Sequence, residues 1–358
     1  MKPHCPPVSF IAGLAVILLG ASGAVHAQSG EHFQLYVSNE RSADVTVIDA
    51  GTLSAVTTIP VGKRPRGIHA SPDGKRVYVA LSGTPIAVPK IDASGNTVLE
   101  HKNEDTAAAE ADRAADGIGI IDVAQQKLVK KLPVGTDPEE FALSRSGQQL
   151  YISNEDAKSA SVVSLKSGRI EHVVPIAQEP EGVATSPDGR SFYVTCEAGG
   201  DVFVVDTRSD RVIGNFKVPP RPRSVAFLPG EPIAFIPSES TGQLNVIDTV
   251  LYKVVRTVTL PEGSRPMSVK VSPDGRRVYV SNGRGATVSV LDSHSYELLA
   301  TIAVGPRAWG MVLSPDGKYL YTANGPSNDI SVVDLTTNKE LQRVKVGEGP
   351  WGLTVVTK

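Results

Sequence analysis

Cysteine is almost missing from this chain: among 358 residues there are only Cys5 and Cys196. Neither belongs to a CxxCH or CxxC motif, and no HExxH occurs. Covalent c-type haem and the common zinc sites therefore have no support, and no metal site is predicted. Charge of one sign is missing too. The formal net charge is −2, so electrostatic capture of nucleic acid is not expected. Long hydrophobic runs are confined to the first residues. Lys2 precedes an apolar stretch from Phe10 to Leu19, and Val25-His26-Ala27 sets small residues at the −3 and −1 positions of a signal-peptidase site. Residues 1–27 read as a secretory signal cleaved after Ala27, too short to remain as a membrane span. Cys5 lies ahead of the apolar run, where a lipoprotein cysteine would not be. Cleavage leaves Cys196 alone, so no internal disulfide can form, although a periplasmic or secreted location would permit one. The mature chain must be held by packing and sheet closure.

What is present is a repeat. Seven segments share one pattern, beginning at Arg64, Asp137, Glu179, Arg221, Arg265, Arg307 and Gly349, with spacings of 73, 42, 42, 44, 42 and 42 residues. The second position is proline in all but one, as in Arg64-Pro65-Arg66-Gly67 and Glu179-Pro180-Glu181-Gly182. A short apolar strand follows each anchor, then a Ser-Pro-Asp-Gly turn at 71–74, 186–189, 272–275 and 314–317. Proline presets φ in such a turn, and glycine takes its positive-φ position. Second strands such as Leu35 to Asn39, third strands such as Val45 to Asp49, and fourth strands ending at Val-Gly complete the unit. The segments are rich in Val, Ile, Tyr and Thr and carry frequent turn signals, which predicts an antiparallel meander.

Four strands per unit of about 42 residues is the signature of a propeller blade. The expected fold is all-β: a seven-bladed β-propeller of four-stranded antiparallel blades over residues 31–358. The chain begins in a second strand at Leu35 and ends in a first strand at Trp351 to Thr357. Closure is thus expected by pairing the C-terminal strand with the N-terminal blade, which removes the open edges. An open β-solenoid is disfavoured because the terminal units are complementary and lack polar caps. The one long spacing places an insertion loop at 82–116 in blade two. Ser94-Gly95-Asn96 predicts a turn there, and the alanine-rich stretch Asp105 to Ala115 a short helix. Such a loop is either a lid over the channel mouth or a surface loop.

Second strands such as Tyr36-Val37-Ser38-Asn39 and Tyr279-Val280-Ser281-Asn282 resemble those of the YVTN-type β-propeller repeat family, over essentially the whole mature chain. The Arg-Pro-Arg-Gly, Pro-Glu-Gly and Trp-Gly anchors are similar to those of a periplasmic branch that accompanies pyrroloquinoline quinone-dependent catabolism. That resemblance implies a periplasmic accessory to a redox or quinoprotein system. The family as a whole implies little chemistry, because propellers host enzymes, binding modules and scaffolds alike.

The anchors are expected to ring one mouth of the central channel. In blade order they carry Arg64 and Arg66, then Asp137, Glu139, Glu140, Glu179 and Glu181, then Arg221, Arg223, Arg265 and Arg307, with Trp309 and Trp351 closing the circle. Arginine forks suit carboxylate or phosphate, and the tryptophans, the only two in the chain, suit a ring or an apolar ligand. The candidate ligand-binding residues are Arg64, Arg66, Glu139, Glu181, Arg221, Arg223, Arg265, Arg307, Trp309 and Trp351. They would hold a small anionic ligand or an acidic loop of a periplasmic partner protein. The competing reading is structural: Glu40, Glu155, Glu197 and Glu239 follow second strands on the same face and would pair with these arginines.

Glu140 occupies a place that is otherwise Gly or Ser in every unit, and so is a candidate ligand contact or general base. His69 and Lys270 stand where other units mostly have Ala, Val or Thr, and each could face the channel. Three functions follow. The first is a non-catalytic binding or scaffold propeller, expected to be a monomer, with no recognisable catalytic motif. The alternative is a lactonase-like hydrolase, for which Glu140, His69 and Arg66 are the candidate catalytic set. The third is a cofactor propeller holding a quinone or haem. The sequence leaves the identity of any cofactor open.

Overall fold

The computed structural model describes Met1, residues 32–86 and 110–357, and the backbone of 89–91 and 97–99. Residues 2–31, which hold nearly all of the segment expected to be a signal, and most of the insertion, including the turn expected at 94–96, lie outside the described residues.

Seven four-stranded antiparallel sheets follow one another round a ring. Blade one contains β1 (Phe33–Asn39), β2 (Asp44–Asp49) and β3 (Ser54–Pro60), and its innermost strand is β30 (Pro350–Thr357), the last of the chain. β1 and β30 pair antiparallel from Phe33↔Thr357 to Asn39↔Pro350. Seven-fold closure across the termini is therefore realised as expected, and the strand that would have been an open edge is paired on both sides. In blade two, β5 (Arg76–Leu81) pairs directly with β8 (Gly117–Asp122), so the insertion leaves the sheet and returns to it without altering its register. Within it, β6 (Pro89–Ile91) and β7 (Thr97–Leu99) form a small hairpin.

No helix forms over 110–115, the described part of the alanine-rich stretch. Short-range bonds close turns instead, with Ala115 N–H donating to the Asp112 carbonyl at 2.8 Å. The charged side chains are engaged elsewhere: Arg113 reaches Asp156 of blade three at 2.6 Å, and Lys63 reaches Asp112 at 2.9 Å. A segment this short has little helical preference to set against such anchors.

The core is divided among the seams. Each of seven buried apolar clusters joins two neighbouring blades, as where Tyr78 and Ile118 of blade two pack on Phe141 and Ile152 of blade three. One spans the closure, with Phe33 and Leu35 against Tyr321 and Val332. A single blade cannot bury both faces, so its stability comes from its neighbours.

The repeated sequence signals have local causes. Asn39 at the end of β1 donates to Asp44 at 2.7 Å and to Thr46 at 2.9 Å, tying the second strand to the third. Asn282 and Asn324 do the same in their blades. The Asn side chain occupies the space beside the Val-Gly that ends the fourth strand: a Cβ at Gly305 would lie 2.3 Å from Asn324. In the Ser-Pro-Asp-Gly turn, Ser71 Oγ donates to Asp73 at 2.6 Å, and Gly74 adopts φ 66°.

Candidate functional site

All seven anchor positions begin with a residue in the left-handed region: Arg64, Asp137, Glu179, Arg221, Arg265 and Arg307 with φ between 42° and 62°, and Gly349 with φ 66°. This conformation is costly for a residue with a side chain, about 1–2 kcal/mol. Its repetition in six charged residues fixes how the chain enters each innermost strand. It brings most of the anchors together around a cavity of about 350 Å³ at the channel mouth, while Arg265 lines a neighbouring cavity with Arg284 and Arg307.

One half of this mouth is a closed ion network. Arg66, with 2% of its side chain exposed, reaches Asp137 of the next blade at 2.5 Å, also meets Glu139, and lies 3.7 Å from Glu155. Arg223, 8% exposed, contacts Glu181 at 2.5 Å and Glu239 at 2.8 Å and also meets Glu197. Arg64 pairs with Glu40 at 3.0 Å, and Arg221 pairs with Glu197 at 2.8 Å and Glu239 at 3.0 Å. Glu40, Glu155, Glu197 and Glu239 thus all pair with anchor arginines. Arg265 donates to the Ser240 carbonyl at 2.7 Å.

Carboxylates crowd this half. Burial raises the pKa of Glu181 well above the usual range; Arg223 opposes the rise and Glu197 adds to it. Burial raises Glu155 in the same way, with Glu139 and Asp137 adding their charge. At Asp137 burial is outweighed by Arg66 and Arg64, and the pKa falls.

The other half differs. Arg307 extends over the ring of Trp309 at 4.9 Å, and Arg223 lies 5.2 Å from the same ring. Trp309 and Trp351 come together at 5.8 Å between centroids, tilted by 40°. Among the described residues no carboxylate lies within ion-pair distance of Arg307, nor of Arg41 or Arg284 beside it, and all three are exposed. Partial loss of hydration, then the like charge of Arg223, lowers the pKa of Arg307, with Glu239 and Glu40 opposing the fall from farther away.

Below the mouth, within the channel, His69 of β4 (Pro65–Ala70) and Glu140 of β10 (Pro138–Leu143) meet at 2.8 Å, Nε2 to Oε1. Their side chains are 35% and 21% exposed, so solvent reaches the pair. Glu140 also accepts the Phe141 N–H at 2.9 Å, and His69 stands edge-on to the Phe141 ring at 4.9 Å. The small residue at the matching place in β4 leaves room for this arrangement: a Cβ on Gly67 would meet Glu140 Oε1 at 2.4 Å and would oblige that side chain to shift. Of the candidate catalytic set, the structure brings His69 and Glu140 together. Arg66 is withheld, because its guanidinium is enclosed by three carboxylates at the seam. Lys270 of β22 (Pro266–Val271) is partly buried, and Glu140 is the carboxylate whose charge acts on it.

Among the described residues, no group of three or more His, Cys, Asp and Glu side chains is placed to hold a metal ion. No helix among them is long and apolar enough to cross a membrane.

Known proteins share this architecture. Residues 233–349 match the family model described as the cytochrome D1 heme domain. Antigen Lp49 of Leptospira interrogans is 27% identical over 154 residues, covering 38% of this chain and 34% of that protein, so the match spans about a third of its length. A candidate 6-phosphogluconolactonase from Bacteroides fragilis superposes with a TM-score of 0.71 at 17% identity, over 92% of this chain and 99% of that one. Hydrazine synthase of Kuenenia stuttgartiensis does so with 0.66 at 19% identity, over 81% and 89%. At these identities the likeness to the solved structures is one of fold, the propeller architecture.

Proposed function

We propose that this protein is a periplasmic binding propeller whose channel mouth takes a small anionic ligand at the corner formed by Arg307, Trp309 and Trp351. The observation that carries this is the unmatched charge of Arg307. Four neighbouring arginines are paired with carboxylates, while among the described residues Arg307 has no carboxylate within ion-pair distance and lies over an indole face beside other cations, with Glu239 and Glu40 acting on it from farther away. An anion placed there relieves like-charge repulsion and gains a planar two-pronged donor. The tryptophan pair beside it suits the flat or apolar part of the same ligand.

A carboxylated planar molecule of the quinone kind fits this corner, in keeping with the resemblance to propellers of quinone-dependent catabolism. The family model matched at 233–349 is named for haem. The described lining of the mouth offers arginine, glutamate and tryptophan but no histidine, cysteine or methionine, so it supplies no axial donor for an iron. No iron chemistry is assigned to it. The test is a thermal-shift titration with pyrroloquinoline quinone, a planar tricarboxylate. A saturable rise that Arg307→Gln weakens at least tenfold supports the reading, by linkage of binding to stability. A rise equal in wild type and Arg307→Gln, or none, sinks it.

A second reading, hydrolysis of a lactone, is favoured by the His69–Glu140 hydrogen bond. Glu140 would hold the imidazole, and His69 would take a proton from water as it attacks the lactone carbonyl. Base uptake in a pH-stat with δ-gluconolactone checks it: a rate no faster than buffer, or one unchanged in Glu140→Gln, ends this reading.

A further inference from the structure

A second cavity, of about 450 Å³, opens beside the mouth where the anchors of blades five, six and seven meet. Five arginines line it, Arg221, Arg223, Arg265, Arg284 and Arg307, against one carboxylate, Glu239. Glu239 is already engaged: it accepts from Arg221 at 3.0 Å and from Arg223 at 2.8 Å. Glu197 pairs with the same two arginines from the other side. Arg265, Arg284 and Arg307 remain, and among the described residues none of the three has a carboxylate within ion-pair distance. Their places are set by other contacts. Arg265 Nη1 donates to the Ser240 carbonyl at 2.7 Å and to the Glu239 carbonyl at 3.4 Å, and its remaining guanidinium nitrogens have no described partner. Arg284 stands on the loop between β23 (Arg277–Asn282) and β24 (Thr287–Asp292). Gly283 N–H donates to the Arg265 carbonyl at 2.9 Å, which ties that loop to the anchor of its own blade. The approach is close, since a Cβ on Gly283 would lie 2.9 Å from Met267 Cγ in the cavity wall. Arg307 comes from the next blade, lying over Trp309. Three cations thus share one concave wall with no counter-charge of their own, and their mutual repulsion favours any anion that enters.

We infer that this cavity is a second anion site, and that Arg265, Arg284 and Arg307 hold a phosphate group in it. A phosphate monoester carries a charge of about −1.5 to −2 near neutral pH and three strong acceptor oxygens. That matches three guanidinium groups that reach the cavity from two blades. A carboxylate is planar, has one charge and is satisfied by a single arginine fork, so it would leave two of the cations unmatched. Free phosphate and the phosphate of a larger molecule share this chemistry. The site goes beyond the mouth reading. Arg265 and Arg284 do not line the mouth, Trp309 and Trp351 do not line this cavity, and Arg307 borders both.

The experiment is calorimetric titration of the purified protein at pH 8 and fixed ionic strength with inorganic phosphate, phenyl phosphate and acetate. Phosphate is expected to bind saturably at one site per chain, at least tenfold more tightly than acetate. Affinity should fall at least fivefold in Arg284→Gln, and further when Arg265→Gln is added. Arg284 is exposed on a surface loop, so its replacement leaves the fold intact. Affinity should stay within twofold of wild type in Trp351→Phe, which belongs to the mouth. Inorganic phosphate bound as tightly as the ester, or more tightly, marks the free ion as the ligand. Tighter binding of phenyl phosphate marks a phosphorylated molecule whose body extends out of the cavity. No saturable phosphate binding, acetate held as tightly as phosphate, or affinity unaltered in Arg284→Gln overturns the proposal. The mouth reading stands or falls separately, on the quinone titration, which Trp351→Phe should weaken while leaving phosphate binding alone.

Discussion

Arg223 Nη1 stands 2.5 Å from Glu181 Oε1 although the two belong to different blades, 42 residues apart in the chain. Each is enclosed by further charge: Glu197 and Glu239 about the arginine, Glu197 and Glu139 about the carboxyl. The same arrangement recurs two seams away, where Arg66 meets Asp137 and Glu139. These contacts bind blade to blade at the rim, where the apolar seams give way to solvent.

Arg66→Met should be strongly destabilising. It leaves Glu139 buried without its cation and Asp137 with only Arg64 at 3.9 Å, a loss on the order of 3–5 kcal/mol. Arg221→Ala removes a cation whose side chain is 47% exposed, and should cost less than about 1 kcal/mol. Urea denaturation of the two variants side by side measures the contrast; equal losses would mean that the Arg66 network adds nothing beyond a surface pair.

Stability should fall as pH rises through the titration of Glu181. Its folded-state pKa is raised above the ordinary value of 4.5, chiefly by burial. The folded state then holds a proton that the unfolded state has already released. The resulting stabilisation is complete below 4.5 and is lost as pH climbs through the raised value. In Glu181→Gln the slope of unfolding free energy against pH above 4.5 should be shallower than in wild type. Parallel slopes would show that Glu181 does not titrate in that window.

Gly182→Ala should destabilise the protein by about 1–3 kcal/mol, the range for overpacking a tight site. The added Cβ would lie 2.6 Å from the Arg223 carbonyl oxygen, a backbone atom of the neighbouring blade that cannot step aside alone. Gly242→Ala is the matched control for a glycine with open space, since nothing lies within 4 Å of its Cβ position. Its φ of 65° makes it sensitive to backbone strain alone. Thermal midpoints of the two variants separate crowding from strain.

Cys196 should resist thiol reagents in the native state. It is fully buried, and burial pushes its pKa up to about 12, so almost no thiolate exists at neutral pH. Titration with a disulfide reagent should show little reaction until denaturant is added. Rapid native labelling would mean that β15 (Ser191–Cys196), an inner strand of its blade, opens readily.

The blades were legible because their causes are local. Ser71-Pro72-Asp73-Gly74 closes its turn through bonds within a few residues, and Asn39 ties two strands through partners five and seven residues on. The expected helix over 105–115 did not form in its described part, because Arg113 and Asp112 are held by residues distant in sequence, Asp156 and Lys63. At the mouth, the list of charged and aromatic residues could be read from the anchors, but their pairing could not. Arg64 and Arg307 open two copies of one motif, yet the first is paired with Glu40 while the second lies over an indole.

By itself, then, the sequence determined the number of blades, their strands and turns, and the closure of the ring, since each depends on periodic patterns of apolar, turn-forming and capping residues acting over short distances. Only the tertiary structure decided which charges are spent on holding the ring together and which remain to meet a ligand. Coulombic and hydrogen-bond partners are set by distance in space, and the partners of Arg66 and His69 come from another blade, brought near by a curvature that no single repeat encodes.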